Sequence, residues 1–245
     1  MVPELVAHRG YALRCPENTL VAMESAIAAG AHFVECDVQL SADGFPVLMH
    51  DRTLERMCGV KVAVHDMSLA DLRALSCGER AKFGSKFASE GIASLAGFVQ
   101  LLRRHPHVTA FVEIKRVSIE RFGRERILER VLPAIDAAVH QCVLISFSLE
   151  FLSAARAAHP IALGAVFDTW AEREQKIVRE IDPEYVFCDI DGLPAAGPLV
   201  HGRSKIAIYE VADERVAREL GERGVHFVET FEIVEMREKL ASKSS

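Results

Sequence analysis

The stretch Phe33-Val34-Glu35-Cys36-Asp37-Val38 reads as a β-strand, and the fold follows from what surrounds it. It is short, with aromatic and β-branched residues at its ends. Just upstream, Leu20, Met23 and Ile27 recur at helical spacing on one face. Asn18 is placed to cap that helix and Gly30 to stop it. Further back, Leu5-Val6-Ala7 reads as a first strand. The same rhythm continues downstream. Strands are expected at 109–114, 142–147, 161–167, 185–188, 205–209 and 226–228. Helices are expected at 94–105, 121–139, 148–158, 171–181, 212–221 and 231–240. A further helix is expected at 193–202, the weakest of the set because it holds Pro194, Gly197, Pro198 and Gly202. Eight strands alternating with helices must run parallel, since each helix is a crossover. In 245 residues this pattern predicts an α/β chain folded as one (β/α)8 TIM barrel, with a doubly wound open sheet as the alternative. Residues 52–91 break the rhythm. They hold one modest helix candidate, 68–75, and read as a small insertion after the second strand. Ser242 to Ser245 read as a frayed tail.

Composition narrows the function. The 29 Lys+Arg and 35 Asp+Glu give a net charge of −6, which argues against broad nucleic-acid binding. No apolar run approaches the length of a membrane span. Met1 to Leu5 do not resemble a secretory signal. The six cysteines, at 15, 36, 58, 77, 142 and 188, form no CxxC pair and read as small buried thiols. A reduced, cytoplasmic protein is expected on that ground; a homo-oligomer remains open. There is no GxGxxG, P-loop or HExxH, so nucleotide and zinc-protease readings fall away.

Barrel chemistry sits at the C-terminal ends of the strands, and polar residues collect there. His8 and Arg9 follow the first strand. Glu35 and Asp37 stand two apart, so both carboxylates share one face. Two like charges on an inward face call for a cation between them, and a divalent ion suits oxygen ligands. Glu113 and Lys115 repeat the pattern, and His50-Asp51 follows the apolar Val47-Leu48-Met49. Taken singly, each has a structural reading: a hydrogen-bonded histidine, a solvated edge, a loop pair, a salt bridge. All four fall at strand ends, and that coincidence favours a site. Asp189, Glu210 and Glu229 lie near strand ends as well, as mouth or structural residues. Met57, Phe83 and Phe87 could form an apolar lid, although packing within the insertion is the simpler reading.

Together, Ala7-His8-Arg9-Gly10, Pro16-Glu17-Asn18-Thr19, Glu35-Cys36-Asp37 with Asp43-Gly44, His50-Asp51 and Glu113-Ile114-Lys115 resemble the glycerophosphodiester phosphodiesterases of bacterial type. The resemblance implies a TIM barrel that hydrolyses glycerophosphodiesters to glycerol 3-phosphate and an alcohol. It implies His8 and His50 as the acid–base pair. Glu35, Asp37 and Glu113 would bind one divalent metal ion, Mg²⁺ or Ca²⁺. Arg9 and Lys115 would hold the phosphate, with Glu17 and Asn18 lining the same site. Departures such as Tyr209-Glu210, where the family more often has Trp-Thr, leave the alcohol undefined. A lysophospholipase D-type enzyme and a non-catalytic phosphate-binding barrel are the alternatives.

Overall fold

A computed structural model describes residues 2–242. These form nine strands: β1 (Glu4–Ala7), β2 (Phe33–Leu40), β3 (Pro46–Leu48), β4 (Thr109–Ile114), β5 (Cys142–Ser146), β6 (Ala162–Phe167), β7 (Tyr185–Asp189), β8 (Lys205–Tyr209) and β9 (Phe227–Thr230). All but β3 are parallel to their neighbours, in the order β1-β9-β8-β7-β6-β5-β4-β2, and pairing of β1 with β2 closes the ring. The closed (β/α)8 barrel is therefore confirmed and the open sheet excluded.

The strands are short, apolar and covered on both faces, as parallel strands must be. Inside the ring, Val6, Phe111, Val143, Ile145, Phe187 and Phe227 are among the residues that fill the lower barrel. Gly164 makes room for them: a Cβ there would meet Ile145 Cγ2 at 2.8 Å and the Phe187 ring at 3.0 Å. Outside the ring, the strands pack on helices through a second, larger cluster that includes Met23, Val34, Phe98, Leu144 and Phe151.

Three expectations need correction. The chain at 193–202 forms no helix; only a short 3-10 turn, Ile190–Gly192, precedes it. Its prolines and glycines prevail over its few apolar residues. Asn18 does not cap the first helix, Leu20–Ala28. Thr19 does, accepting from the Ala22 amide, which frees Asn18 for another task. The third correction concerns the cysteines. Cys58 and Cys77 are disulfide-bonded, whereas Cys15, Cys36, Cys142 and Cys188 are free and buried. A separation of 19 residues has no sequence signature; folding of the insertion brings the two together. Cysteine usage thus no longer argues for a reducing compartment.

The insertion follows β3, a short antiparallel strand beside β2 that the apolar run 47–49 did not reveal as such. It holds three short helices, Glu55–Cys58, Leu69–Arg73 and Arg80–Phe83. Its own small core includes Val47, Met49, Leu54, Met57, Val64 and Leu72. The Lys82 ammonium donates to the Ala12 carbonyl at 2.8 Å, tying the insertion to the barrel rim. Ser242 ends the last helix, Ile233–Ser242; residues 243–245 of the expected tail lie outside those described. No helix among the described residues is long and apolar enough to cross a membrane.

Candidate active site

Strand register assembles the acids. Glu35 and Asp37 alternate with Cys36 on β2, so both face inward, and Asp37 pairs in register with Glu113 on β4. Each of the three offers one carboxylate oxygen, and these oxygens all lie within 4.8 Å of one another. All three residues are buried. Glu35 Oε1, Asp37 Oδ1 and Glu113 Oε1 have no hydrogen-bond partner. Three buried carboxylates with orphaned oxygens are costly unless a cation completes them. The Lys115 ammonium supplies part of that charge, 3.1 Å from Asp37 Oδ1 and 2.8 Å from Glu113 Oε1. Lys115 thus offsets Asp37 and Glu113, and Glu35 Oε1 is left without a partner.

Arg9 supplies more. Its Nε lies 3.2 Å from Asp37 Oδ2, its NH1 donates to Glu17 Oε1 at 3.2 Å, and its backbone amide donates to Glu35 Oε2 at 3.1 Å. That triple contact needs a sharp turn straight after β1. Arg9 sits at φ +56°, in the left-handed region costly for a side chain bulkier than glycine. Gly10 continues the turn at φ +82°, where a Cβ would stand 2.6 Å from the Ala22 carbonyl carbon. Asn18, at φ +57°, grips Asp37 from both sides. Its Nδ2 donates to Asp37 Oδ2 at 2.8 Å, and its Oδ1 accepts from the Asp37 amide at 3.0 Å.

The electrostatics follow from this packing. Burial pushes the Glu35 carboxyl well above the usual carboxylate range, and Asp37 adds to the shift. Burial acts the same way on Asp37, but Lys115 and Arg9 outweigh it and hold that carboxyl below the range. Asp37 is thus the firm anion of the set.

Both histidines reach this centre. The His8 imidazole stacks on Phe231, with ring centres 4.7 Å apart. Its Nε2 lies 3.5 Å from Glu35 Oε2 and 3.9 Å from Glu229 Oε2, and its Nδ1 lies 3.3 Å from Glu210 Oε1. Burial, then Arg9, pushes its pKa well down, toward the neutral ring. His50 is more open, and its Nδ1 lies 2.9 Å from Asp51 Oδ1. That pairing turns Nε2 away from Asp51. One cavity is lined by His8, Arg9, His50, Glu113 and Lys115 together with Glu229 and Glu210.

His8, Arg9, His50, Glu113 and Lys115 thus share one cavity, with Glu35, Asp37 and Glu17 in contact with them, whereas Met57, Phe83 and Phe87 stay within the insertion and form no lid. Three further residues join the site. Glu229 pairs in register with the inward-facing Val6 and is buried in the ring. Burial, then Glu113, pushes its carboxyl well above the usual range. Glu210 joins the rim beside His8. Arg56, from the insertion, bridges Asp51 Oδ2 at 2.7 Å, Glu17 Oε1 at 2.6 Å and Glu79 Oε1 at 3.3 Å. Glu210 and Glu229 were visible as strand-end acids; nothing in the sequence singled out Arg56.

A parallel barrel carrying paired imidazoles, a carboxylate triad and two phosphate-competent cations defines a class of phosphoryl-directed TIM barrels. Comparison with known proteins narrows the class: residues 8–226 match the Glycerophosphoryl diester phosphodiesterase family, and the chain belongs to it. It is 40% identical over 98 residues to a glycerophosphodiester phosphodiesterase of Caldanaerobacter subterraneus, a match covering 40% of each chain. It is 41% identical over 117 residues to a probable glycerophosphodiester phosphodiesterase 1 of Mycobacterium tuberculosis, covering 46% of this chain and 43% of that one. These matches span less than half the length of the curated relatives. Among solved structures, an Oleispira antarctica phosphodiesterase in complex with the product sn-glycerol-3-phosphate superposes with a TM-score of 0.84 at 22% identity. The superposition covers 98% of this chain and 97% of that one, and shows the shared fold.

Proposed function

We propose that this protein hydrolyses glycerophosphodiesters to glycerol 3-phosphate and an alcohol, with one divalent ion, Mg²⁺ or Ca²⁺. The observation that carries the reading is the convergence of His8 and His50 on the buried triad Glu35, Asp37 and Glu113, within reach of Arg9 and Lys115. The family supports the same chemistry.

The donor set fits a hard cation, because it is all oxygen, buried, and carries an orphaned oxygen on each residue. Once bound, such an ion polarises the phosphoryl group and offsets its growing negative charge. The chain's own residues do the rest. Arg9 presents a planar fork to two phosphoryl oxygens, and Lys115 adds a point charge. One histidine takes a proton from the attacking water, or from the adjacent glycerol hydroxyl, in which case a cyclic phosphate forms first and water then opens it to glycerol 3-phosphate. The other gives a proton to the departing alkoxide as its P–O bond breaks. Asp51 fixes the His50 ring for that exchange. Glu17, held between Arg9 and Arg56, keeps the phosphate-binding Arg9 guanidinium in place.

The lysophospholipid alternative gains nothing from the insertion. Met57 is buried in its small core, and Phe83 and Phe87 pack edge to face, 5.3 Å apart. The deciding experiment is metal-supplemented turnover across a panel of glycerophosphodiesters and lysophosphatidylcholine, following glycerol 3-phosphate release. Release from the diesters supports the reading. Binding without turnover on any of them leaves the phosphate-binding barrel.

A further inference from the structure

The insertion reaches the centre through Arg56, and a covalent bond lies beside the root of that side chain. Arg56 holds Asp51, which pairs with His50 Nδ1, and Glu17, which accepts from Arg9 NH1. Its fork therefore stands behind one imidazole and behind the guanidinium suited to phosphate. The footing of Arg56 is slight. It sits on the helix Glu55–Cys58, a single turn too short to sustain itself.

Support comes from residues 77–79, through three links. The disulfide joins Cys58, at the end of the helix, to Cys77. The Glu79 amide donates to the Met57 carbonyl at 3.1 Å, and Arg56 NH1 donates to Glu79 Oε1 at 3.3 Å. The Cys77 amide in turn donates to the Glu90 carbonyl at 2.7 Å, which fixes the far side of the segment. Glu79 is buried and left-handed, at φ +46°. That conformation is costly for a residue with a Cβ and persists only where the surroundings enforce it. Among the described residues only four non-glycine residues adopt positive φ, and two of the others, Arg9 and Asn18, belong to the active site. The disulfide, two residues before Glu79, is the nearest cross-link that can enforce it.

We propose that the Cys58–Cys77 disulfide is a positioning element for the active site, acting through Glu79 and Arg56, so that activity follows its redox state. The proposal rests on the proposed diesterase activity and adds a control on it. A small thiol opens the bond. Its thiolate attacks the Cys58 sulfur, the S–S bond breaks, and Cys77 leaves as a thiolate that takes up a proton. A second thiol displaces the first from Cys58, which leaves two protein thiols and one small-molecule disulfide. The way in is a cavity of about 550 Å³ whose lining includes Arg56, Cys58, Ser76 and Arg80. Cys58 is half-buried, whereas Cys77 is only 1% exposed, so attack falls on Cys58. Arg56 and Arg80 favour the thiolate there. Once the bond is open, Glu79 can relax from its left-handed conformation, and Arg56 loses the partner that steadies it against Asp51 and Glu17.

The test crosses opening of the bond with Arg56→Ala. The Mg²⁺-supplemented wild-type protein and Arg56→Ala are each assayed for kcat/KM on the best substrate of the glycerophosphodiester panel, before and after treatment with dithiothreitol. The pair Cys58→Ser with Cys77→Ser, which lacks the bond outright, is assayed in both backgrounds as well. Opening should lower the wild-type value by about fivefold, and reoxidation with oxidised glutathione should restore it. In the Arg56→Ala background opening should change nothing, because the residue it acts through is already gone. An equal loss in both backgrounds marks a bond that only stabilises the fold, and overturns the proposal. An undiminished rate in the serine pair overturns it too. Loss of the native circular dichroism on opening does the same, since the bond then holds the fold and not the fork. A bond that dithiothreitol does not open in the folded protein overturns the redox control. Absence of turnover by the oxidised wild-type protein on the whole panel overturns the diesterase reading, and the positioning role with it.

Discussion

Asn18 and Asp37 hold each other through two hydrogen bonds, one from the Asn18 amide to the Asp37 carboxylate at 2.8 Å and one from the Asp37 backbone at 3.0 Å. The pair joins the loop after β1 to the middle of β2 and aims the most anionic group of the triad. Ligating carboxylates are commonly oriented by such outer partners. Asn18→Ala should therefore weaken metal binding by about 10–100-fold while preserving the barrel. Isothermal titration with Mg²⁺ or Ca²⁺ reads this directly; unchanged affinity would show that Asp37 needs no such support.

The two imidazoles should be indispensable to turnover and dispensable to the fold. His8→Ala and His50→Ala are each expected to lower kcat by about 10²–10⁴-fold, the range for a lost general acid or base. Circular dichroism should be unchanged. Near wild-type rates in both purified variants would remove the acid–base assignment.

Metal removal has a second readout besides rate. Chelation should abolish turnover, with recovery on adding Mg²⁺ or Ca²⁺. Because the ion would bind the folded chain alone, it should also raise the melting temperature. The linkage amounts to about 2.7 kcal/mol at a free concentration of 100 times Kd. Melting curves identical with and without either ion would count against a site at Glu35, Asp37 and Glu113.

Arg56 couples the insertion to the centre, since it ties Asp51 to Glu17. Its removal should loosen both the His50 and the Arg9 arrangements. Arg56→Ala is expected to lower kcat/KM by about tenfold or more, and Arg56→Lys should restore little, because an ammonium cannot bridge three carboxylates in a fixed fork. Full activity in the lysine variant would reduce Arg56 to a simple counter-charge.

Thiol chemistry should report the cysteine pattern. Burial pushes Cys142 and Cys188 up to about 12, and Cys36 well above its ordinary value. The thiolate is the reactive form, so the native protein should resist Ellman's reagent. Denaturation without reductant should expose four thiols, and denaturation after reduction six. Six thiols without reduction would mean that Cys58 and Cys77 are not joined.

The barrel and most of its site were legible in the sequence because both depend on local pattern. Apolar runs such as Thr109 to Ile114 specify strands, and helices between them dictate parallel pairing. The two-residue period places Glu35 with Asp37 on one face whatever the rest of the chain does. The tertiary structure decided what depends on distant partners. Register alone sets Asp37 beside Glu113 and turns Glu229 inward across from Val6. Asn18 carries a capping signature, yet its side chain goes to Asp37 because Thr19, one residue on, caps the helix. Cys58 meets Cys77, and Arg56 meets Glu17, only once an insertion without periodicity has folded on its own small core. Local order is written in neighbouring residues, whereas contacts across dozens of residues exist only after the chain has closed on itself.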